Sequence, residues 1–321
     1  MTAIQQALDA TKKEMDAVLN AKVPGLSDMT SYLAASAGKG LRALLLLTAA
    51  VNADDNISDD VPKAAAALEL MHMATLIHDD VIDHASTRRG IPALHQKFGT
   101  KSAVICGDYL LSQSMFMFAN MDAGRIDKEK DYTVSIQRVS RALSAVCRGE
   151  YMQHLNAGNL DMHLFTYLRI ISGKTAALFY TAAYIGGTLG GEPPKVVQDL
   201  GRFGRYLGII FQILDDCKDY EWTQNQALKP VGSDIKSGVV TLPLLFAMWN
   251  NPQLRIIAKE IIAAKSDTDD FIQSVLTAGG TNEARALAAR YVHKAEQTLV
   301  DVLPKKRDAL LEILGKAKGG V

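Results

Sequence analysis

The chain has 321 residues, 48% of them hydrophobic, and its 35 basic side chains cancel 35 acidic ones to a formal net charge of zero. A disordered chain would carry fewer apolar residues and more net charge, and a nucleic-acid binder working by phosphate neutralisation would show a basic excess. A membrane-spanning helix needs roughly 18 or more consecutive apolar residues, and the longest comparable run, Ala43 to Val51, is about half that and contains Thr48.

Lys12, Lys13, Glu14 and Asp16 interrupt the opening segment, so no targeting signal is read there. Asp54-Asp55 reads as surface loop. Asp59 and Asp60 are placed to cap a helix with Pro62 in its first turn, where a missing donor does no harm. Leu68, Met71 and Thr75 follow helical spacing, and Ala64 to Leu76 is apolar on more than one face, as in a helix inside a bundle. Between Val134 and Val146, the residues Ile136, Val139, Leu143 and Val146 form one helical stripe. Alternating β-branched runs are nearly absent, and Val239 to Leu242 is too short to predict a strand. Pro24, Pro92, Pro193-Pro194, Pro230, Pro252 and Pro304 mark turns, whereas Pro243 starts or kinks a helix. The three cysteines, Cys106, Cys147 and Cys217, form no CxxC pair, which predicts free thiols and a cytoplasmic protein. Length alone admits about two domains. No linker, repeat or low-complexity tract marks a boundary, so one all-α domain of about ten or more helices is expected over residues 1–321.

The chemistry is concentrated in two strings of the form D-D-x-x-D, Asp79-Asp80-Val81-Ile82-Asp83 and Asp215-Asp216-Cys217-Lys218-Asp219. On a helix the first and last aspartates share a face, with the middle one about 100° away. Both strings lie in apolar surroundings, where like charges are costly without a compensating cation. Hard carboxylate oxygens favour Mg²⁺, with water and phosphate completing the octahedron. Basic groups accompany them: Lys39 and Arg42 between glycines, Arg88-Arg89 after the first string, Lys174 after Gly173, and Lys229 after the second string. The simplest joint account is carboxylates holding Mg²⁺, metal gripping a diphosphate, and Lys/Arg closing the shell.

In this order, Gly38-Lys39-Gly40-Leu41-Arg42, His72, Asp79 to Asp83, Arg88-Arg89-Gly90, Gly107-Asp108 and Gly149-Glu150 with Gln153 are followed by Lys174-Thr175, Phe211-Gln212, Asp215 to Asp219, Lys229 to Asp234 and Thr241-Leu242-Pro243. The whole set resembles the trans-isoprenyl diphosphate (polyprenyl) synthases over nearly the full chain. The resemblance implies an isoprenoid synthase-like helical bundle around a deep central cavity, usually dimeric. It implies about three Mg²⁺ held by Asp79, Asp80, Asp83, Asp215, Asp216 and Asp219. Arg88, Lys174 and Lys229 would grip the allylic diphosphate, and Lys39, Arg42, His72 and Arg89 would bind isopentenyl diphosphate. Lys174, Thr175 and Gln212 would serve the reacting centre. The resemblance further implies a homodimer, or a heterodimer with a small regulatory subunit. A long polyprenyl product, insoluble in water, would favour a peripheral membrane contact for its release, although no basic amphipathic helix stands out. One departure is Val239, where the family often has Lys; Lys236 is the candidate replacement.

Product length follows from helix geometry. Residues one turn before Asp79 set the first floor for a growing chain, and these are the small Ala74 and Thr75, with Met71 the next bulky candidate. Met115, Phe116 or Phe118 would close the far end. With that first floor absent, the expectation is a product longer than about C15, and the resemblance, which is to the catalytic chain of hexa- and heptaprenyl-type synthases, implies about C30–C40. Farnesyl or geranylgeranyl diphosphate synthesis is the alternative within the family. A terpene cyclase needs no second diphosphate site, which Lys39, Arg42 and His72 supply. A di-iron bundle would require a second Glu-x-x-His beside Glu69 to His72.

Overall fold

Helical periodicity along the chain is realised as sixteen α-helices among the described residues, which in this computed structural model are 2–20, 22, 24–35, 38, 40–123, 136–221, 232–264 and 268–319. Lys39, Trp222, Lys229 and Pro230 lie outside them. The order begins α1 (Ala3–Leu19), α2 (Ser27–Ala35), α3 (Leu41–Ala50) and α4 (Asp60–Ile82). A hairpin of β1 (Thr87–Arg88) and β2 (Ile91–Pro92) follows, then α5 (Leu94–Phe98), α6 (Thr100–Ala123), α7 (Ile136–Leu155) and α8 (Leu164–Ile171). A π-helical turn, Ser172–Ala176, leads into α9 (Ala177–Leu189) and the long α10 (Pro194–Glu221). The chain continues through α11 (Ser233–Lys236), α12 (Leu242–Asn250), α13 (Leu254–Ala264), α14 (Asp269–Thr277), α15 (Gly280–Gln297) and α16 (Pro304–Gly319). No helix among the described residues is long and apolar enough to cross a membrane.

The chain divides into two compact units. The first comprises Met1–Arg141, Leu178–Gly204 and Leu299–Leu310; the second comprises Ala142–Ala177, Arg205–Thr298 and Leu311–Val321. In the first unit α4 packs along α6, and its many-sided apolar sequence is accounted for by burial of Val61, Ala64 to Leu68, Leu70 and Met71. The small side chains of 64–67 leave room for α6, and the buried Ser114 hydroxyl of α6 donates to the Ala67 carbonyl at 2.7 Å. Such a bond satisfies a hydroxyl that would be expensive to bury alone. In the second unit α12 is buried from Leu242 to Met248 and packs on α15.

Two local expectations are corrected or resolved. Asp59 does occupy the position before α4, but its backbone is already helical (φ −60°, ψ −21°) and its side chain makes no capping bond. An oxygen that caps normally hangs from extended backbone. Pro243 starts α12 rather than kinking it: it follows the extended Thr241 within the first turn, where no intrahelical partner is lost. The hairpin was not anticipated. Its two-residue turn places Arg89 at φ 53° and Gly90 at φ 79°, the left-handed pair that twists antiparallel strands together. An arginine in that position conceals the turn from a search for Asn-Gly or Asp-Gly.

Candidate active site

In the first unit the Asp79-to-Asp83 string ends α4, and the hairpin returns directly beside it. Asp80, the middle aspartate, is buried. Arg88 Nε donates to its two oxygens at 2.9 and 3.1 Å, and Arg88 Nη2 adds a further bond. Burial opposes the Arg88 charge, but the Asp80 bond and the charges of Asp80, Asp79 and Asp83 outweigh it and raise the guanidinium's pKa. Asp79 is half-buried and Asp83 is exposed, so the outer pair occupies the less enclosed side of the helix, as the spacing predicted.

The neighbouring cations crowd one another. Burial and the Arg89 charge push Arg42 down to about 10 against the opposing pull of Glu69, while its guanidinium lies 4.6 Å from the Phe179 ring centroid. The Arg42 Nε is buried without a hydrogen-bond partner. His72 is held well below its usual range by burial and then by the charges of Arg42, Arg89 and Arg88. Arg89 is itself lowered by burial and by Arg88. Gly38 is what lets its head group in: a Cβ there would stand 2.3 Å from Arg89 Nη2. The result is a set of cations whose mutual repulsion an anion would relieve.

Gly107 has the same kind of role. A Cβ on it would lie 2.4 Å from His78 Nε2, so its absence lets the His78 ring rest on α6, 3.3 Å from the Val104 carbonyl and 3.4 Å from Asp108 Oδ1. The Gly107-Asp108 pair thereby fixes the residue immediately before Asp79.

In the second unit α10 carries Gln212, Asp215, Asp216 and Asp219. Asp216 is buried; Tyr167 donates to its Oδ2 at 2.6 Å and Gln212 Nε2 to its Oδ1 at 2.8 Å. Thr175 in turn donates to Gln212 Oε1 at 2.6 Å. Burial and the charge of Asp234 push Asp216 up to about 7, against the lowering effect of its two donors. Asp215 is half-exposed with Lys218 Nζ at 3.3 Å. Asp219 accepts from the Asp234 backbone N–H at 3.2 Å and from the Ser233 hydroxyl at 3.4 Å. This explains why Gly232-Ser233-Asp234 accompanies the second string: α11 begins on the Asp219 carboxylate.

Lys174 and Thr175 stand on the π-helical turn, a local widening that re-aims side chains. Two glycines make the approach of α7 to this turn close. A Cβ on Gly149 would meet Lys174 N at 2.3 Å, and one on Gly173 would meet the Ala145 carbonyl at 2.7 Å. The contact sets Lys174 Nζ 2.8 Å from Glu150 Oε2 as an ion pair.

Other expected positions fall as follows. Ala74 is buried in a core cluster with Leu33, Leu70, Ile77, Cys106 and Leu110, and Met71 is also fully buried. Thr75 is half-buried and donates to the His72 carbonyl at 2.8 Å, so it alone of the three retains exposed surface. Phe118 is buried, whereas Phe116 is 61% exposed. Val239 donates its N–H to the Asp234 carbonyl at 2.8 Å, and Lys236 is half-buried at the end of α11. Lys39 and Lys229 lie outside the described residues. Tyr167 was missed: it precedes its partner Asp216 by 49 residues, and an isolated tyrosine on an apolar helix gives no sequence signal.

The donor set fits a hard divalent cation. Among the described residues no three His, Cys, Asp or Glu side chains converge as a ready-made cluster. Mg²⁺ is commonly held by one or two carboxylates together with water and substrate phosphate, and the half-exposed Asp79 and Asp215 supply oxygens of that kind.

Residues 23–278 match the family described as Polyprenyl synthetase. The chain is 32% identical over 319 residues, covering 97% of it and 88% of the relative, to heptaprenyl diphosphate synthase component 2 of Bacillus subtilis. Among solved structures it is similar to the heptaprenyl diphosphate synthase of Staphylococcus aureus, with TM-score 0.88, 29% identity and 98% of each chain covered. It is also similar to a polyprenyl synthase of Caulobacter crescentus complexed with calcium and isoprenyl diphosphate, with TM-score 0.87, 27% identity, and 99% and 95% of the two chains covered. The all-helical architecture, the ordered motifs and these matches agree: the chain belongs to the polyprenyl synthetase family and is a trans-prenyltransferase.

Proposed function

We propose that this enzyme condenses isopentenyl diphosphate with an allylic diphosphate, head to tail, and extends the product beyond about C15 past the small residues one turn before Asp79, to about C30–C40 as the heptaprenyl synthases it is similar to suggest. The observation that carries the reading is the crowd of Arg42, His72, Arg88 and Arg89, whose charges depress His72 and would be relieved by a bound polyanion. We assign Arg42, His72, Arg89 and Lys39 to isopentenyl diphosphate, and Arg88, Lys174 and Lys229 to the allylic diphosphate.

Divalent metal is part of the proposal, with Mg²⁺ favoured by the all-oxygen donors and by the calcium complex of the Caulobacter relative. When bound, Mg²⁺ would neutralise charge developing on the leaving diphosphate. Asp79, Asp83, Asp215 and Asp219 are assigned as its ligands. Asp80 and Asp216 are already held by Arg88, Tyr167 and Gln212, which supports an orienting role for them beside the metal.

The protein groups have separate tasks. Arg88 and Lys174 hold the leaving diphosphate where negative charge grows, an interaction stronger in the transition state than before it. Thr175 and Gln212 flank the allylic carbon. The second diphosphate site orients the attacking double bond. That double bond forms the new C–C bond and leaves a tertiary cation, which gives up a proton to the departed diphosphate to restore a double bond; because the allylic C–O bond ionises, no side-chain nucleophile is required.

We further propose that both compact units form one synthase domain, supported by a family match at 23–278 that draws on both. An oligomer is proposed as well, either a homodimer or a complex with a small second subunit, the latter because a relative is itself named component 2. The cytoplasm is the proposed location, on the cysteine reading. A Mg²⁺-dependent assay of the purified chain, with allylic primers from C5 to C20 and product length as readout, tests the reading. Hydrocarbon release from allylic diphosphate alone would instead identify a cyclase.

A further inference from the structure

The second unit contains a hydrogen-bonded series whose polarity is fixed at one end. The Tyr167 hydroxyl, buried on α8, donates to Asp216 Oδ2 at 2.6 Å, and Gln212 Nε2 donates to Asp216 Oδ1 at 2.8 Å. In its ionised form Asp216 can only accept, so Gln212 turns its NH₂ toward it and its carbonyl oxygen away. A reversed amide would set two oxygens against each other. That carbonyl oxygen accepts from Thr175 at 2.6 Å, which commits the only hydroxyl hydrogen of Thr175. Thr175 can then meet a positively charged carbon only with oxygen lone pairs. Turned the other way, its hydrogen would point toward the cation and destabilise it.

We propose that Tyr167 is a positioning residue which, through Asp216 and Gln212, sets the direction of the Thr175 hydroxyl. The inference rests on the proposed reading that Thr175 flanks the allylic carbon. Tyr167 is assigned no contact with substrate or metal, its hydroxyl being committed to Asp216 Oδ2. Its part is to occupy one carboxylate oxygen so that the other is left for Gln212, and to hold the carboxylate plane while α10 fixes the Asp216 backbone. The π-helical turn contributes by placing Thr175 against α10.

Tyr167→Phe keeps the ring and removes only the hydroxyl. Its kcat is expected to fall about tenfold, with the KM for the allylic diphosphate moving less than about twofold, because orientation rather than binding is lost. In a Thr175→Val background the same change is expected to have no further effect on kcat, since its target has gone. Gln212→Met breaks the series at its centre and should abolish the Tyr167→Phe effect in the same way. Full kcat in Tyr167→Phe, or an equal loss with and without the Thr175 hydroxyl, would overturn the inference. A second measurement needs no turnover: in metal-free protein labelled with ¹⁵N-glutamine, Tyr167→Phe should shift the Gln212 side-chain amide resonance, and an unmoved resonance contradicts the relay. An inactive wild-type enzyme with a shifted resonance would sink the proposed function and leave the relay standing.

Discussion

Arg88 Nε lies 2.9 and 3.1 Å from the two oxygens of the buried Asp80, so the first basic residue after the first aspartate string belongs partly to that string. The second, Arg89, sits in left-handed backbone at φ 53° and sends its head group over Gly38. Two adjacent arginines thus take different duties because Arg88 ends the first strand while Arg89 enters the turn.

Removing Arg88 should show both consequences. Arg88→Ala leaves a buried carboxylate without its partner, and stability is expected to fall by about 1–3 kcal/mol, read as a lower denaturant midpoint at unchanged slope. The allylic KM should rise in the same variant. Arg88→Lys keeps the charge but not the fork, and should recover only part of either effect.

Acid should destabilise the protein through His72. The unfolded chain protonates this side chain near 6.5, while burial and the surrounding arginines hold the folded value well below that. Between those two values the unfolded state binds the extra proton. Stability is therefore complete above about pH 6.5 and declines as pH falls below it, with the loss ending at the folded value. His72→Gln should flatten that slope in denaturant titrations, and inorganic diphosphate should reduce it in the wild type by favouring the charged ring.

Gly107 is a steric prediction with a chemical consequence. Gly107→Ala would place a methyl 2.4 Å from the present His78 Nε2 and force the ring off α6. Because the displaced atoms are the end of a partly exposed side chain, and alanine favours the helix by about 1 kcal/mol over glycine, the cost in stability should be small. Melting measured alongside Mg²⁺ dependence should show weaker metal activation with little change in stability, because His78 adjoins Asp79. Unchanged metal dependence would separate the two residues.

The base of α16 offers a test of burial alone. Lys306 Nζ pairs with Glu192, and both side chains are largely enclosed within the first unit. Lys306→Met should cost about 3–5 kcal/mol by stranding the carboxylate, and adding Glu192→Met should return most of it. Neither change touches the proposed chemistry, so kcat should stay near the wild-type value while Tm moves.

How far the sequence reached depended on whether a feature was local. The helices were legible from their apolar spacing, and the two aspartate strings from their repetition. The division of labour within each string was legible only as an angle: spacing puts Asp80 and Asp216 aside from their neighbours, but not that Arg88 or Tyr167 waits there. The hairpin was hidden because Arg89 occupies a conformation that usually selects Asn, Asp or Gly. Gly38, Gly107 and Gly149 stood out as motif members, while their reason, a close neighbour from a distant stretch of chain, is tertiary. The product-length stripe shifted for the same cause, since Ala74 joins the core and leaves Thr75 as the half-buried position.

That stripe gives the most direct measurement of the central claim. Purified wild-type enzyme and Thr75→Phe would be incubated with Mg²⁺, geranyl diphosphate and labelled isopentenyl diphosphate, and the products separated by length. The account expects wild-type chains longer than about C15, centred at about C30–C40, and a shift to shorter chains when Phe fills the first turn before Asp79. Mainly products of about C15 from the wild type, or no incorporation of label at all, would contradict it.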